Sequence, residues 1–342
     1  MLRSLLDKLR RHEDLTADEA AQAMGEIMDG RADPAQVAGL LMALALKGER
    51  PDEVVGFASA MRRRAVPLPK PLGVVFDTCG TGGDGAHTFN VSTAAAIVVA
   101  GCGLRVAKHG NRAASSQCGS ADVLEALGVG LSTSPDDVVR AVEQANLGFF
   151  FAQAWHPSMK HAAPIRKALG VRTVFNLLGP LTNPAGPSRQ IVGVSRPEHT
   201  ELLASALGRL GSERAWVVHG ANGLDELSTT GHTKVSEWRD SAVKTFYVHP
   251  ADVGLPVASL ADLRGGAAAE NAAMIDGVLA GESGPRRDVV VLNAGAALLV
   301  AGAAASLGAG VAMAGDAIDR GAARRALETL RAVCPPAGSE KK

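Results

Sequence analysis

The chain has 342 residues with 35 Lys+Arg against 35 Asp+Glu, so its formal net charge is zero. That balance argues against a general nucleic-acid binder, which carries a basic excess, and leaves room for a local basic pocket. Apolar residues make up 46% of the chain and aromatics 4%, enough for a sizeable core whose helices pack through small side chains. The cysteines, Cys79, Cys102, Cys118 and Cys334, are scattered without a CxxC pair, which reads as reduced thiols rather than a disulfide frame or a zinc site. The N-terminal residues lack the unbroken apolar stretch of a signal peptide. The Ala-rich run 294–307 is interrupted by Gly295 and Gly302 and is expected as a buried helix, not a membrane span. A soluble cytoplasmic protein is the expectation.

Residues 1–66 show helical periodicity and no strand pattern. Leu5, Leu6 and Leu9, then Ala20, Ala23, Met24, Ile27 and Met28, recur at helical spacing. Thr16 followed by Glu19 predicts a capping box, and Pro34 and Pro51 predict helix starts, the second helix running from Asp52 to Arg64. Pro67, Pro69 and Pro71 stiffen a linker. From Val74 the pattern changes. Short apolar strands are expected at 74–79, 104–107, 147–152, 190–195, 215–219 and 288–292. Helices are expected at 92–101, 120–127, 135–145, 197–210, 256–263, 267–280 and 294–305. The alternation predicts an α/β domain over 72–334, with a mostly parallel central sheet flanked by helices. Residues 335–342 read as a tail.

The chemistry concentrates in two loops one βα unit apart. Gly80, Gly82, Gly83 and Asp84 follow the first strand, and Thr88, Asn90, Val91, Ser92 and Thr93 lead into an apolar helix. Glycines allow positive φ and close backbone approach, and a helix N-terminus favours anions. On its own such a loop is as often a plain βα turn. The second loop, Lys108, His109, Gly110, Asn111 and Arg112, adds full positive charge, and Ala113, Ala114, Ser115, Ser116 and Ser120 extend it to another helix start. Together the loops predict a clamp for a multiply phosphorylated small molecule. The pair Asp225-Glu226 ends another strand, either as a solvated turn or as carboxylates for Mg²⁺, which neutralises a diphosphate. Arg166, read alone, is an ordinary helix-surface arginine.

Five segments carry a resemblance: GTGGD at 80–84, NVST at 90–93, KHGNRAASSQCGSADVLEALG at 108–128, VRTVFNLLGPLTNP at 171–184 and HGANGLDELS at 219–228. In this order they resemble the anthranilate phosphoribosyltransferases, over nearly the whole chain. The resemblance implies transfer of a phosphoribosyl group from phosphoribosyl diphosphate to the amine of anthranilate, in tryptophan biosynthesis. It implies that the segment near 159–185 returns to the helical domain and that the protein is a homodimer. It implies a donor site formed by the residues of the two loops and Mg²⁺ on Ser92, Asp225 and Glu226. Gly80, His109, Asn111 and Arg166 form the acceptor site that it implies, with Arg166 facing the anthranilate carboxylate. No covalent nucleophile is implied. The chain departs from the pattern at His87, Gln153 and Trp155. Two other readings remain: a pyrimidine nucleoside phosphorylase-like enzyme, which would use inorganic phosphate, and a non-catalytic homologue that binds nucleic acid.

Overall fold

The computed structural model describes residues 1–113, 117–131 and 134–336. Helices α1 (Leu2–Arg10), α2 (Ala17–Met28), α3 (Pro34–Lys47) and α4 (Pro51–Arg62) form a bundle. Its helix starts are set locally. The Thr16 hydroxyl accepts from the Glu19 N–H, and the Glu19 carboxylate accepts from the Thr16 N–H. Asp33 caps α3 ahead of Pro34. Glu53 is fully buried, paired with Lys47 at 3.1 Å and accepting from the Leu15 and Arg50 N–H groups. A buried charge persists only with such partners.

Beyond the linker, β1 (Phe76–Gly80), α5 (Val91–Gly101), β2 (Val106–Gly110), α6 (Ser120–Ala126), α7 (Pro135–Ala145) and β3 (Leu147–Phe151) alternate. The short helices α8 (Ala152–Trp155), α9 (Ala163–Leu169) and α10 (Phe175–Leu178) precede β4 (Arg189–Gly193), α11 (His199–Arg209) and β5 (Arg214–Gly220). A hairpin of β6 (Thr233–Arg239) and β7 (Ala242–Val248) follows, then α12 (Ala268–Leu279), α13 (Pro285–Ala301), α14 (Leu307–Asp319) and α15 (Ala322–Val333). The sheet order is β3-β2-β1-β4-β5-β6-β7. The first five strands in that order pair parallel, and β6 and β7 are antiparallel.

Two large cores flank the sheet, and a smaller one joins Leu72, Val75, Val138, Val142, Phe150 and Trp155. One large core lies beneath α5, α13, α14 and α15. There small residues bring backbones together: a Cβ at Gly295 would stand 2.5 Å from the Val311 nitrogen. The other runs from the sheet through Leu203 and Leu207 of α11 into the bundle. Ala162, Val174, Phe175, Leu178 and Leu181 join this second core, so the segment between β3 and β4 packs against the bundle side.

Two expected elements are corrected. The apolar run 288–292 is not a strand; it lies inside α13, which Pro285 starts. Only Leu260–Leu263 of the expected helix 256–263 is helical, as a single 3₁₀ turn. The β6–β7 hairpin has no counterpart among the expected strands. Its turn, Asp240-Ser241, has positive φ at both residues, 51° and 62°, which matches the right-handed twist of a hairpin without the usual glycine. Helix α13 is buried through most of its length, and no helix among the described residues is long and apolar enough to cross a membrane. No disulfide joins the cysteines among the described residues.

Candidate active site

Strand β1 lies between β2 and β4, so the chain order reverses there, and parallel α/β sheets place ligand crevices at the C-terminal edge of such a point. The glycine loop leaves β1 at this edge, the basic loop leaves β2, and the acidic loop leaves β5. They surround one cavity of about 480 Å³. The acidic loop folds across the ends of β1 and β4. A Cβ at Gly80 would stand 2.2 Å from an Asp225 carboxylate oxygen, and one at Gly193 would stand 1.5 Å from the Asp225 carbonyl. Gly80 and Gly193 are register partners, so two adjacent strands both end in glycine to admit this loop. Gly80→Ala is expected to push Asp225 away from the glycine loop and lower Mg²⁺-dependent turnover at least tenfold by misplacing the carboxylate. Turnover unchanged across a Mg²⁺ titration would show that the close approach is dispensable.

Asp225 accepts from the Gly82 N–H at 2.7 Å, and Glu226 accepts from the Ser92 N–H at 3.2 Å, in the first turn of α5. Asp84 bears on both carboxylates. Burial, then crowding by Asp84, raises the Asp225 carboxyl above the ordinary range; burial, then Asp225, does the same to Glu226. Asp225 and Glu226 offer a pair of hard oxygen donors at a helix N-terminus with Asp84 nearby, and Lys108 is the counter-charge beside Glu226; among the described residues no three acidic, His or Cys side chains converge as a preformed metal cluster. The pair fits Mg²⁺, which takes one or two carboxylates and completes its shell with water and phosphate oxygens.

Lys108 is 2% exposed, and its Nζ donates to the Thr78 carbonyl at 2.7 Å and the Ser92 hydroxyl at 3.3 Å. An ammonium has three donors, so one is left for a ligand. Behind it sits Asp77, fully buried. Asp77 accepts from the His109 N–H at 3.2 Å and from Asn183 Nδ2 at 2.9 Å, and Asn183 also donates to the Ala107 carbonyl. This network ties β1, β2 and the segment before β4 together. Burial raises the Asp77 carboxyl, opposed by Lys108.

His109 places Nδ1 3.0 Å from the Gly179 carbonyl, which makes Nδ1 the protonated nitrogen and leaves Nε2 as a buried acceptor without a partner. Burial, then His156, pushes His109 down to about 3, and burial pushes His156 down to about 4. Both imidazoles are neutral at physiological pH. A depressed histidine pKa contributes stability above the unfolded value near 6.5, and loses it as pH falls toward the folded value. By pH 5 each ring is expected to have lost roughly 2 kcal/mol. The loss of unfolding free energy between pH 7.5 and pH 5 should therefore be about 2 kcal/mol smaller in His156→Gln than in wild type. Equal losses in urea titrations would mean that His156 is not held neutral.

Arg166 of α9 also lines the cavity and lies over the Phe175 ring, 5.1 Å from its centroid. Among the described residues it has no ion-pair partner, so its planar fork is free for a carboxylate. Arg172 also lines the cavity and donates to the Gly82 carbonyl at 2.9 Å.

The glycosyl transferase family a/b domain matches residues 72–324, and the helical bundle domain of the same family matches residues 3–65. The anthranilate phosphoribosyltransferase of Moorella thermoacetica is 54% identical over 330 residues, covering 96% of this chain and 97% of that one. That of Symbiobacterium thermophilum is 53% identical with the same coverage. The chain belongs to the anthranilate phosphoribosyltransferase family. The crystal structure of the Thermus thermophilus member superposes with a TM-score of 0.90 at 47% identity, covering 96% of this chain and 98% of that one. The Saccharomyces cerevisiae member, solved in complex with PRPP and Mg, gives 0.88 at 31% identity, covering 97% of both chains.

Of the residues that the family resemblance singled out, Gly80, Gly82, Gly83, Asp84, Thr88, Asn90 to Thr93, Lys108 to Ala113, Ser120, Arg166, Asp225 and Glu226 all line the cavity. Ala114, Ser115 and Ser116 lie outside the described residues. Two details differ from the expected phosphate clamp. The Arg112 guanidinium is held by Asp122 at 2.9 Å and Glu125 at 2.6 Å, so its charge is already paired. The turn that starts α6 is occupied too, because Asp122 accepts from the Ala113 and Gly119 N–H groups, both at 2.9 Å. Among the departures, Trp155 is buried against Phe150, Gln153 donates to Asn111 at 3.4 Å, and His87 lines the cavity with φ 53°. Sequence reasoning missed Asp77, Asn183, His156, Arg172 and Gly193. Arg172 and Asn183 stand inside one of the five motifs, but only the folded segment brings them to the sheet.

Proposed function

We infer that the protein transfers the phosphoribosyl group of phosphoribosyl diphosphate to the amine of anthranilate, releasing pyrophosphate and forming phosphoribosylanthranilate in tryptophan biosynthesis. The observation that carries this reading is the content of one cavity: an acidic pair laid over a glycine loop, together with an arginine that has no ion-pair partner among the described residues. The yeast relatives in complex with PRPP and Mg, and with 4-fluoroanthranilate, support it.

The diphosphate is held by the backbone of Gly80, Gly82 and Gly83, by the first turn of α5, and by Lys108. Asp225, Glu226 and Ser92, with Asp84 beside them, hold Mg²⁺. Bound there, the ion would neutralise charge on the departing diphosphate and lower its basicity. His109 offers its Nε2 lone pair to an N–H of the arylamine. A ring held near 3 is a poor base at neutral pH, so it orients the amine rather than deprotonating it. Attack on the anomeric carbon then breaks its bond to the diphosphate oxygen, which leaves with the bonding pair, and the proton passes from the amine nitrogen to the released pyrophosphate or to water. The rate gain comes from positioning and preorganised charge. The acidic pair also separates this reading from a phosphorylase, whose inorganic phosphate calls for less counter-charge, and the zero net charge lacks the basic excess of a nucleic-acid binder. The matched regions support a helical domain over 1–66 and a catalytic domain over 72–334, with the segment near 159–185 belonging functionally to the first. A homodimer through the bundle rests on the family resemblance, and light scattering tests it. A cytoplasmic place follows from the biosynthetic role. Anthranilate fluorescence should fall only with phosphoribosyl diphosphate and Mg²⁺ both present; no loss with all components present would sink the assignment.

Arg166→Ala is expected to raise the KM for anthranilate roughly ten- to hundredfold, since a hydrogen bond to a charged group is worth about 1.5–3 kcal/mol. The KM for phosphoribosyl diphosphate should move little. With an aniline-like acceptor that lacks the carboxylate, wild type and variant should converge. An equal loss with both acceptors would make Arg166 a structural residue.

A further inference from the structure

Arg172 stands between α9 and α10, on the segment that packs against the bundle, yet its side chain reaches the glycine loop on the sheet. Nη1 donates to the Gly82 carbonyl at 2.9 Å and lies 3.5 Å from the Gly83 carbonyl. Both glycines are left-handed, with φ of 68° and 71°. Such a loop gives up much conformational freedom when ordered, and Arg172 supplies a fixed point for two consecutive peptides. Its Nη2 is buried and has no partner. Buried polar groups are nearly always paired, so an unmade donor in a cavity wall marks a place for an acceptor. Among the described residues Arg172 forms no ion pair, although Asp225 and Asp84 across the cavity attract its charge and Arg196 opposes it. A guanidinium carries five donors in a planar fork matched to phosphate oxygens.

We propose that Arg172 is a binding and positioning residue for the donor: one edge latches the glycine loop to the bundle-side segment, and the unpaired Nη2 takes a diphosphate oxygen. The proposal rests on the diphosphate reading of this cavity. Arg166 lies six positions earlier on the same segment, so one segment carries an arginine for each substrate and the two KM values separate their roles.

The test compares wild type, Arg172→Gln and Arg172→Lys by steady-state kinetics, by calorimetry with pyrophosphate and Mg²⁺, and by hydrogen exchange over residues 80–85. Arg172→Gln is expected to raise the KM for phosphoribosyl diphosphate and weaken pyrophosphate binding roughly ten- to hundredfold, as loss of a charged hydrogen bond does. The KM for anthranilate at saturating donor should stay within about twofold. Exchange in the glycine loop should quicken. Arg172→Lys should fall between the two, because it keeps a point charge and loses the fork. A wild type without transferase activity would remove the underlying reading, whatever Arg172 does. An active wild type with unchanged donor KM and pyrophosphate affinity in Arg172→Gln overturns the latch, and so do equal losses in both KM values. Should Arg172→Gln fail to fold, Arg172→Lys decides: wild-type pyrophosphate affinity there overturns the proposal.

Discussion

Replacing Asp225 by Asn together with Glu226 by Gln is expected to remove nearly all Mg²⁺-dependent transfer while leaving the fold in place. The amides are close in size and keep an acceptor oxygen for the Gly82 and Ser92 N–H groups. They relieve the burial, with Asp84 crowding Asp225 and Asp225 crowding Glu226, that raises both carboxyls in the native protein. Groups with raised folded pKa values contribute stability below the unfolded value and lose it as pH rises through the folded one. At pH 8 without metal the variant should therefore be at least as stable as wild type. What disappears is the charge that holds the ion against the diphosphate. Losing one preorganised electrostatic contact commonly lowers turnover by about 10²–10³, and two charges are lost here. Mg²⁺ with pyrophosphate should raise the thermal midpoint of wild type and not that of the variant. A double variant with wild-type turnover at ordinary Mg²⁺ would remove the acidic pair from the mechanism.

Lys108→Met should weaken binding of phosphoribosyl diphosphate roughly ten- to hundredfold, the range for a charge-assisted hydrogen bond, and leave anthranilate binding largely alone. The site is demanding because Nζ is buried and already donates to Thr78 and Ser92. Its remaining donor reaches the cavity where the helix N-terminus and the glycine loop converge. Methionine keeps the stem's volume and removes the charge. It also deprives buried Asp77 of its favourable cation, so some loss of stability is expected. Calorimetry at a temperature well below the unfolding midpoint separates the two effects. Unchanged donor affinity in a folded variant would show that the basic loop is not the phosphate clamp.

Much of the site was legible in the chain because its chemistry is local. A glycine loop between an apolar strand and an apolar helix, a lysine just past the next strand and a carboxylate pair after β5 are short-range patterns tied to strand ends. The alternation of strands and helices placed all three at one edge of a parallel sheet. The misreadings have equally local causes. Residues 288–292 have the apolar, β-branched look of a strand, and only Pro285 just upstream signalled the helix start that prevails. Residues 233–248 alternate as strands do, but Asp240-Ser241 is a weak turn signal beside Asn-Gly.

The sequence by itself determined the parallel core of the sheet, the bundle ahead of it, and which loops carry charge, because periodicity and turn chemistry act over a few residues. Only the tertiary structure decided how those charges are spent. Asp122 lies well beyond Lys108 in the chain, yet it fills the α6 turn and helps neutralise Arg112, so of the two charges on the basic loop Lys108 is the one left for a ligand. Asp77 and Asn183 are 106 residues apart and meet in a buried hydrogen bond that fixes β1 against β2. Arg172 is 90 residues from Gly82 and reaches its carbonyl only because the segment between β3 and β4 packs on the bundle. Pairing of buried charges and donors depends on which distant segments are brought within about 3 Å, and that distance is set by packing of the whole core rather than by any local pattern.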